Sequence, residues 1–278
     1  MSPLFKFIGN PDDVRFLLNG CLKFTPIPQL NDPSELVPYV VHDAVAESRE
    51  RLRREGYNDT DMIYLRRQGN LMNLLAPHRM AIPVPPTKER ATEQIRNPLY
   101  DNTSWLERLL DATAREMADK VGLLCLTKRF DSLPMWAHYA NNANGLTVEF
   151  QNLDVVFQGD NTGILREARA VRYQRERTGV TFEPDSFESL FFAKFEDWSY
   201  EEEFRVVLPL AECRTEQISG DRRLHTYDVP KSCVTRVILG WQMKDEAAQH
   251  VRNLALKLNP RVKVVQAHIS RGRVEVCG

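Results

Sequence analysis

Glu201, Glu203 and Arg205 stand at alternate positions at the entry to a β-rich run, residues 204–208, that Pro209 closes. Side chains alternate across a strand, so period 2 puts these three on one face and Phe204, Val206 and Leu208 on the other. Like charges about 7 Å apart raise the pKa of at least one carboxylate unless a cation or ligand intervenes. Arg205 and Lys194 are cations within sequence reach. With Asp32, the two glutamates also form a hard-oxygen set for a divalent metal in phosphodiester cleavage. The same spacing equally fits a solvated strand edge carrying weak surface ion pairs.

Other residues carry paired readings. Trp136, Tyr139 and Trp198 suit stacking on a nicotinamide or adenine ring, or a place in the core. Asn31 and Asp32 suit ribose binding, or a turn that bonds its own backbone. Arg166, Arg169, Arg172 and Arg175 recur at every third position, which fits a pyrophosphate or RNA contact or a solvated charged face. His138 is an acid or base, or a packed and hydrogen-bonded histidine. The six histidines are isolated in sequence, so no metal centre is read from them.

These groups need a scaffold, and the chain offers strands at both ends with helices between. Residues 4–8 and 21–26 read as strands around a helix that Asn10 caps, Pro11 opens and Gly20 stops. Residues 41–120 read as a helical insertion or lid, with helical spacing at 48–55 and 61–75, a Pro-rich break at 82–86 and a capping box at 104–107. Strand character returns at 121–127, 146–150, 224–229, 234–239 and 262–269, with a short helix at 134–140. Asp245 caps a late apolar-striped helix. This order predicts a single α+β domain over 1–278, since a doubly wound α/β fold would alternate strand and helix throughout.

With 278 residues, the chain is long enough for a substantial core. Its net charge of −1 excludes a global field drawing it to nucleic acid or membrane, so a polyanion must meet a local patch. Five scattered cysteines without Cys-x-x-Cys spacing argue against a zinc ribbon or disulfide framework and fit a reducing cytoplasm. No apolar run approaches the ~20 residues of a membrane span, and the first residues have no signal-like apolar segment. Glycine-loop phosphate motifs, His-Glu-x-x-His and Gly-x-Ser-x-Gly are absent.

Four segments in order, Phe5-Lys6-Phe7, Leu30-Asn31-Asp32-Pro33-x-Glu35, Met135-Trp136-Ala-His138-Tyr139-Ala with Asn144-Gly145-Leu-x-Val-Glu149-Phe150, and Lys194-x-x-x-Trp198-x-Tyr200-Glu201-x-Glu203-x-Arg205, resemble a large bacterial and phage family catalogued only as a domain of unknown function. Leu36 stands where that family has an aromatic or aliphatic residue. More distantly, Tyr200-Glu-Glu-Glu203 entering a strand is similar to the Glu-x-Glu of ADP-ribosyltransferases. That resemblance implies two packed, mostly antiparallel sheets in a split β-sandwich, and NAD as substrate with a protein or nucleic-acid acceptor. Glu203 would stabilise the oxocarbenium-like transition state, and Glu201 would orient the acceptor. Lys6, Asn31, Asp32, Trp136, Tyr139, Lys194, Trp198 and Arg205 would surround the nucleotide. The superfamily's first-strand Arg or His has only Lys6 as a polar counterpart, and its Ser-Thr-Ser strand is missing. A toxin or antiviral effector is the implied setting; the competing expectations are a non-catalytic nucleotide or nucleic-acid sensor in phage defence and a metal-dependent nuclease.

Overall fold

The computed structural model describes residues 2–32, 41–75, 84–98, 115, 117, 118, 120–158, 166–176, 179, 190–219 and 222–276. β1 (Leu4–Ile8), α1 (Val14–Leu18) and β2 (Cys21–Pro26) open the chain. The Asn10 side chain accepts from the Asp12 amide, Pro11 opens a 3-10 turn ahead of α1, and Gly20 stops the helix at φ 80°. Three helices follow: α2 (His42–Glu55), α3 (Asp59–Leu75) and α4 (Lys88–Arg96). Val45, Ser48 and Leu52 form the buried stripe of α2, and Ala91 and Ile95 that of α4, which packs against it. Arg53 Nε reaches the Ile95 carbonyl at 2.8 Å, and Arg96 Nε the Arg53 carbonyl at 3.0 Å. Most of the expected helix after the 104–107 capping box lies outside the described residues.

β3 (Val121–Thr127), α5 (Leu133–Tyr139) and β4 (Leu146–Phe150) come next, then a single turn of helix, α6 (Leu153–Val156). Short strands β5 (Arg169–Ala170), β6 (Arg172–Gln174) and β7 (Ala193–Phe195) lead to β8 (Glu203–Pro209). The chain finishes with β9 (Arg214–Ser219), β10 (Arg222–Asp228), β11 (Val234–Leu239), α7 (Asp245–Leu258), β12 (Lys263–Ser270) and β13 (Arg273–Val276). Lys244, not Asp245, is the N-cap of α7. Asp245 instead lies in the first turn, where its charge meets the helix dipole. The class is α+β with mostly antiparallel strands; among the described strands only β11 with β12 and β6 with β7 run parallel.

The described strands fall into one large sheet and a two-stranded ribbon. Eleven join one hydrogen-bonded network in the order β13-β12-β11-β4-β1-β3-β2-β10-β9, with β8 and β5 branching from β3, and β6 with β7 forms a two-stranded ribbon. The reason lies in β3, whose seven residues pair along their whole length with β8, while its other edge is divided. β1 meets it only at Phe5↔Thr127, and β2 only at Thr25↔Leu123 and Pro26↔Gly122. Between those two contacts β1 and β2 part.

β1 has its edges paired to β3 and β4 and carries buried residues on both faces. Leu4 joins the larger core with Leu22, Phe24, Leu124, Val148, Val206 and Val237, while Phe5 and Phe7 join a second cluster with Trp136 and Ile238. Each fully buried aliphatic or aromatic side chain contributes about 1.5–3 kcal/mol. Between α5 and β4, Asn141, Asn142 and Ala143 adopt left-handed φ of 48°, 52° and 62°. Gly145 closes this turn against β1, where a Cβ would lie 2.1 Å from the Ile8 carbonyl oxygen.

Candidate functional site

Where β1 and β2 part, a pocket opens with a volume of about 80 Å³. Phe5, Phe7, Leu30 and Met135 are its apolar lining; Lys6, Asn31, Tyr139, Lys194, Glu201, Glu203 and Arg205 are its polar and charged lining. Lys6 owes its place to the divided edge of β3. Its ammonium donates to the Cys125 carbonyl at 2.8 Å, a strand carbonyl in the stretch of β3 that neither β1 nor β2 covers.

The glutamates reach the pocket by different routes. β8 begins at Glu203, so Glu203 and Arg205 share a strand face as period 2 requires. Glu201 is not on that strand: it ends a 3-10 turn, Glu196–Glu201, and Glu202 then takes a left-handed φ of 40°. The turn returns the Glu201 carboxylate to the side occupied by Glu203 and sends Glu202 outward to Arg129, 3.1 Å away. The site is no solvated strand edge. Glu201 and Glu203 are each 4% exposed and Arg205 0%.

Buried charges need partners, and here they form a chain. Asn31 Nδ2 donates to the Tyr139 hydroxyl, which donates to Glu201 Oε1. Lys194 Nζ donates to Glu201 Oε2 at 2.8 Å and to Glu203 Oε2 at 3.4 Å. Arg205 grips Glu203 with Nε and Nη2 at 2.7 and 2.8 Å, and its Nη1 donates to the Phe191 carbonyl at 3.0 Å. Bidentate guanidinium pairs are the strong, geometrically fixed kind. The Glu203 amide donates to the Tyr173 hydroxyl at 2.8 Å, which ties β8 to β6.

The two carboxyls are pushed apart in acidity. Burial raises Glu201 above the ordinary range by more than Lys194 lowers it, and the Glu203 charge adds to the rise. Burial opposes ionisation of Glu203 too, yet Arg205, by charge and hydrogen bonds, and then Lys194 hold it down to about 2. Burial, then the hydrogen bond to Glu201, holds the Tyr139 phenol far above its usual value. Glu201 lies toward the mouth, since its partner Tyr139 is half-buried and Asn31 beyond is exposed. Glu203 lies beneath, on the wholly buried Arg205.

Of the residues singled out in the sequence, Lys6, Asn31, Tyr139, Lys194, Glu201, Glu203 and Arg205 converge on this pocket. Trp136 does not line it. Its ring is fully buried between Phe7 and Trp241, with centroids 5.2 Å from each, and its Nε1 donates to the Phe130 carbonyl at 2.6 Å. This is a core position without a free ring face for a nucleotide. Trp198 lies behind the floor, with the Lys194 ammonium 4.6 Å from its ring centroid. Asp32 is buried and does not line the pocket. His138 pairs through Nδ1 with the Tyr200 hydroxyl at 2.9 Å. The arginine row disperses: Arg166 pairs with Glu212, Arg175 with Glu196, and Arg169 stacks over Phe192. Tyr173 and the Phe191 carbonyl were not legible as site residues, because both act through backbone or on backbone across long sequence gaps.

Among the described residues, no group of three or more His, Cys, Asp or Glu is arranged to hold a metal, and no helix is long and apolar enough to cross a membrane. No curated protein and no solved structure matches the chain. Residues 135–206, which carry Tyr139, Lys194 and both glutamates but not Lys6 or Asn31, are similar to a family described as protein of unknown function (DUF2971).

Proposed function

We propose that the chain is a NAD-consuming transferase of the ADP-ribosyltransferase type, acting on a protein or nucleic-acid acceptor as a toxin or antiviral effector. The observation that carries this reading is the convergence of Glu201, Glu203, Lys6, Asn31 and Tyr139 on one pocket at the divided edge of β3. A cavity of about 80 Å³ is far too small for a whole dinucleotide, so most of NAD would lie outside the mouth.

The chemistry follows from the unequal carboxyls, since neighbouring groups whose acidities are driven apart take different roles. The glycosidic C–N bond breaks with its electron pair leaving on nicotinamide, and Glu203, kept anionic, opposes the positive charge that grows on the ribose. Electrostatic stabilisation of this kind is typically worth about 3 kcal/mol per group. The acceptor then bonds to the anomeric carbon and gives its proton to Glu201, whose raised basicity suits a general base. Incubation with NAD and mass detection of free nicotinamide tests this. Turnover that falls about a hundredfold or more in Glu201→Gln supports it; no turnover in wild type with protein, RNA or DNA acceptors sinks it.

A second reading, a non-catalytic nucleotide or nucleic-acid sensor, is favoured by one observation. Every oxygen of both carboxylates already accepts a hydrogen bond from Tyr139, Lys194 or Arg205. Salt-dependent nucleotide or RNA binding without NAD cleavage distinguishes it. A metal-dependent nuclease has less support, because a divalent ion would first have to displace Lys194 and Arg205 from the carboxylates.

A further inference from the structure

The charged side chains lining the pocket do not cancel: Lys6, Lys194 and Arg205 stand against Glu201 and Glu203. Arg205 and Glu203 form a bidentate pair that closes the floor as a neutral unit. Lys6, Lys194 and Glu201 remain above it, so the protonation of Glu201 sets the charge that a ligand meets. With Glu201 ionised these three sum to one positive charge, and with Glu201 protonated to two. A ligand anion confined in about 80 Å³ stands close enough to Glu201 for the two negative charges to repel strongly.

We propose that the pocket binds a phosphate-sized anion, such as the phosphate of a phosphorylated sugar, through Lys6 and Lys194, and that binding draws one proton onto Glu201. This rests on the second reading, the pocket as a nucleotide sensor, because a Glu201 that gains a proton on binding cannot also serve as the general base of a transfer, and it specifies that the phosphate is the part of the ligand that enters. Lys194 already bridges Glu201 and Glu203, so protonating Glu201 releases part of its ammonium's attraction to the newcomer. Lys6, on the β1 side, holds the Cys125 carbonyl and presents its charge to the same cavity.

Among the groups that line the pocket, Glu201 is the one placed to take up that proton; His138, on α5, bonds the Tyr200 hydroxyl and does not line it. Lys194 faces it from β7, Glu203 and Arg205 from β8, and Lys6 from β1; Glu203 is held ionised by Arg205. The phenols of Tyr139, Tyr173 and Tyr200 and the Cys125 thiol all stay neutral, because burial raises each of them. Burial also lifts Glu201, which lowers the cost of its protonation. For an anion of fixed charge the linkage then has one sign: affinity is greatest below the Glu201 pKa and falls about tenfold per pH unit above it.

Titration calorimetry with inorganic phosphate, ribose 5-phosphate and ribose, in two buffers of different ionisation enthalpy and from about pH 5 to about pH 8, tests the proposal. After subtraction of the phosphates' own second ionisation, which falls inside this pH range, both phosphates should bind with uptake of one proton and ribose should not, and a ribose 5-phosphate affinity above that of phosphate would add that the sugar is read as well. Glu201→Gln should abolish the uptake and bind phosphate at least tenfold more tightly than wild type at the highest pH. Lys6→Gln should weaken binding at every pH while keeping the uptake, which preserves the test if the Glu201 variant does not fold. Ribose binding as tightly as its phosphate, or phosphate binding without proton uptake, overturns the proposal. NAD turnover without phosphate binding overturns it and leaves the transferase reading standing. Proton-linked phosphate binding without NAD turnover does the reverse.

Discussion

The Lys194 ammonium lies 2.8 Å from Glu201 Oε2 where the two side chains are only 2% and 5% exposed. A pair this deep gains little net stability over an apolar replacement of both partners, but losing one partner strands the other charge. The site's charges therefore stabilise the fold only as a set.

Glu203→Gln should cost about 3–5 kcal/mol, because it leaves the wholly buried Arg205 without its bidentate carboxylate. Glu202→Gln, one residue away, should stay within about 0.5 kcal/mol, since Glu202 is exposed and pairs with a partly exposed Arg129. Urea denaturation of the two variants checks this, and equal midpoints would mean that the buried pair does not exist. A glutamate on a solvated strand edge, the other reading of the same spacing, would tolerate the change. Loss of activity in that variant is consequently no proof of a catalytic role, and Glu201→Gln is the better probe.

The two glutamates should give opposite pH dependences of stability. Glu203 has a depressed folded pKa, so its contribution is present above its unfolded value of about 4.3 and is lost as pH falls toward about 2. Glu201 has a raised one, so the native state holds a proton that the unfolded chain has already released. Its contribution is complete below the unfolded value and is lost as pH rises through the folded value. The difference in unfolding free energy between wild type and Glu201→Gln should therefore shrink or reverse with rising pH through that window. A difference that grows with pH would contradict the assignment.

The helical insertion should open more readily than the central strands. α2 and α4 bury only a narrow stripe each, Val45, Ser48 and Leu52 against Ala91 and Ile95, whereas six of the seven residues of β3 are buried. Amide hydrogen exchange should be faster for α2 than for β3, and equal protection would end the description of residues 41–120 as a lid.

Local chemistry was enough to read much of this protein. β-rich runs bounded by turn residues marked β1, β2, β3, β4 and β11 to the residue, because their limits depend on Gly, Pro and Asn nearby in sequence. The shared face of Glu203 and Arg205 was legible for the same reason: it needs only the pleat of one strand. Short edge strands such as β9 and β13 were not, since they are held by pairing with a neighbour more than by their own apolar pattern. Period 2 already set Glu201 beside Glu203, but the tertiary structure decided that it gets there by a 3-10 turn and the left-handed backbone of Glu202 and not along the strand, and that both are buried. It also decided that Trp136 belongs to the core and Lys6 to the pocket. Those outcomes depend on which strands share the edge of β3, a relation between residues 96 to 122 positions apart that no local periodicity encodes.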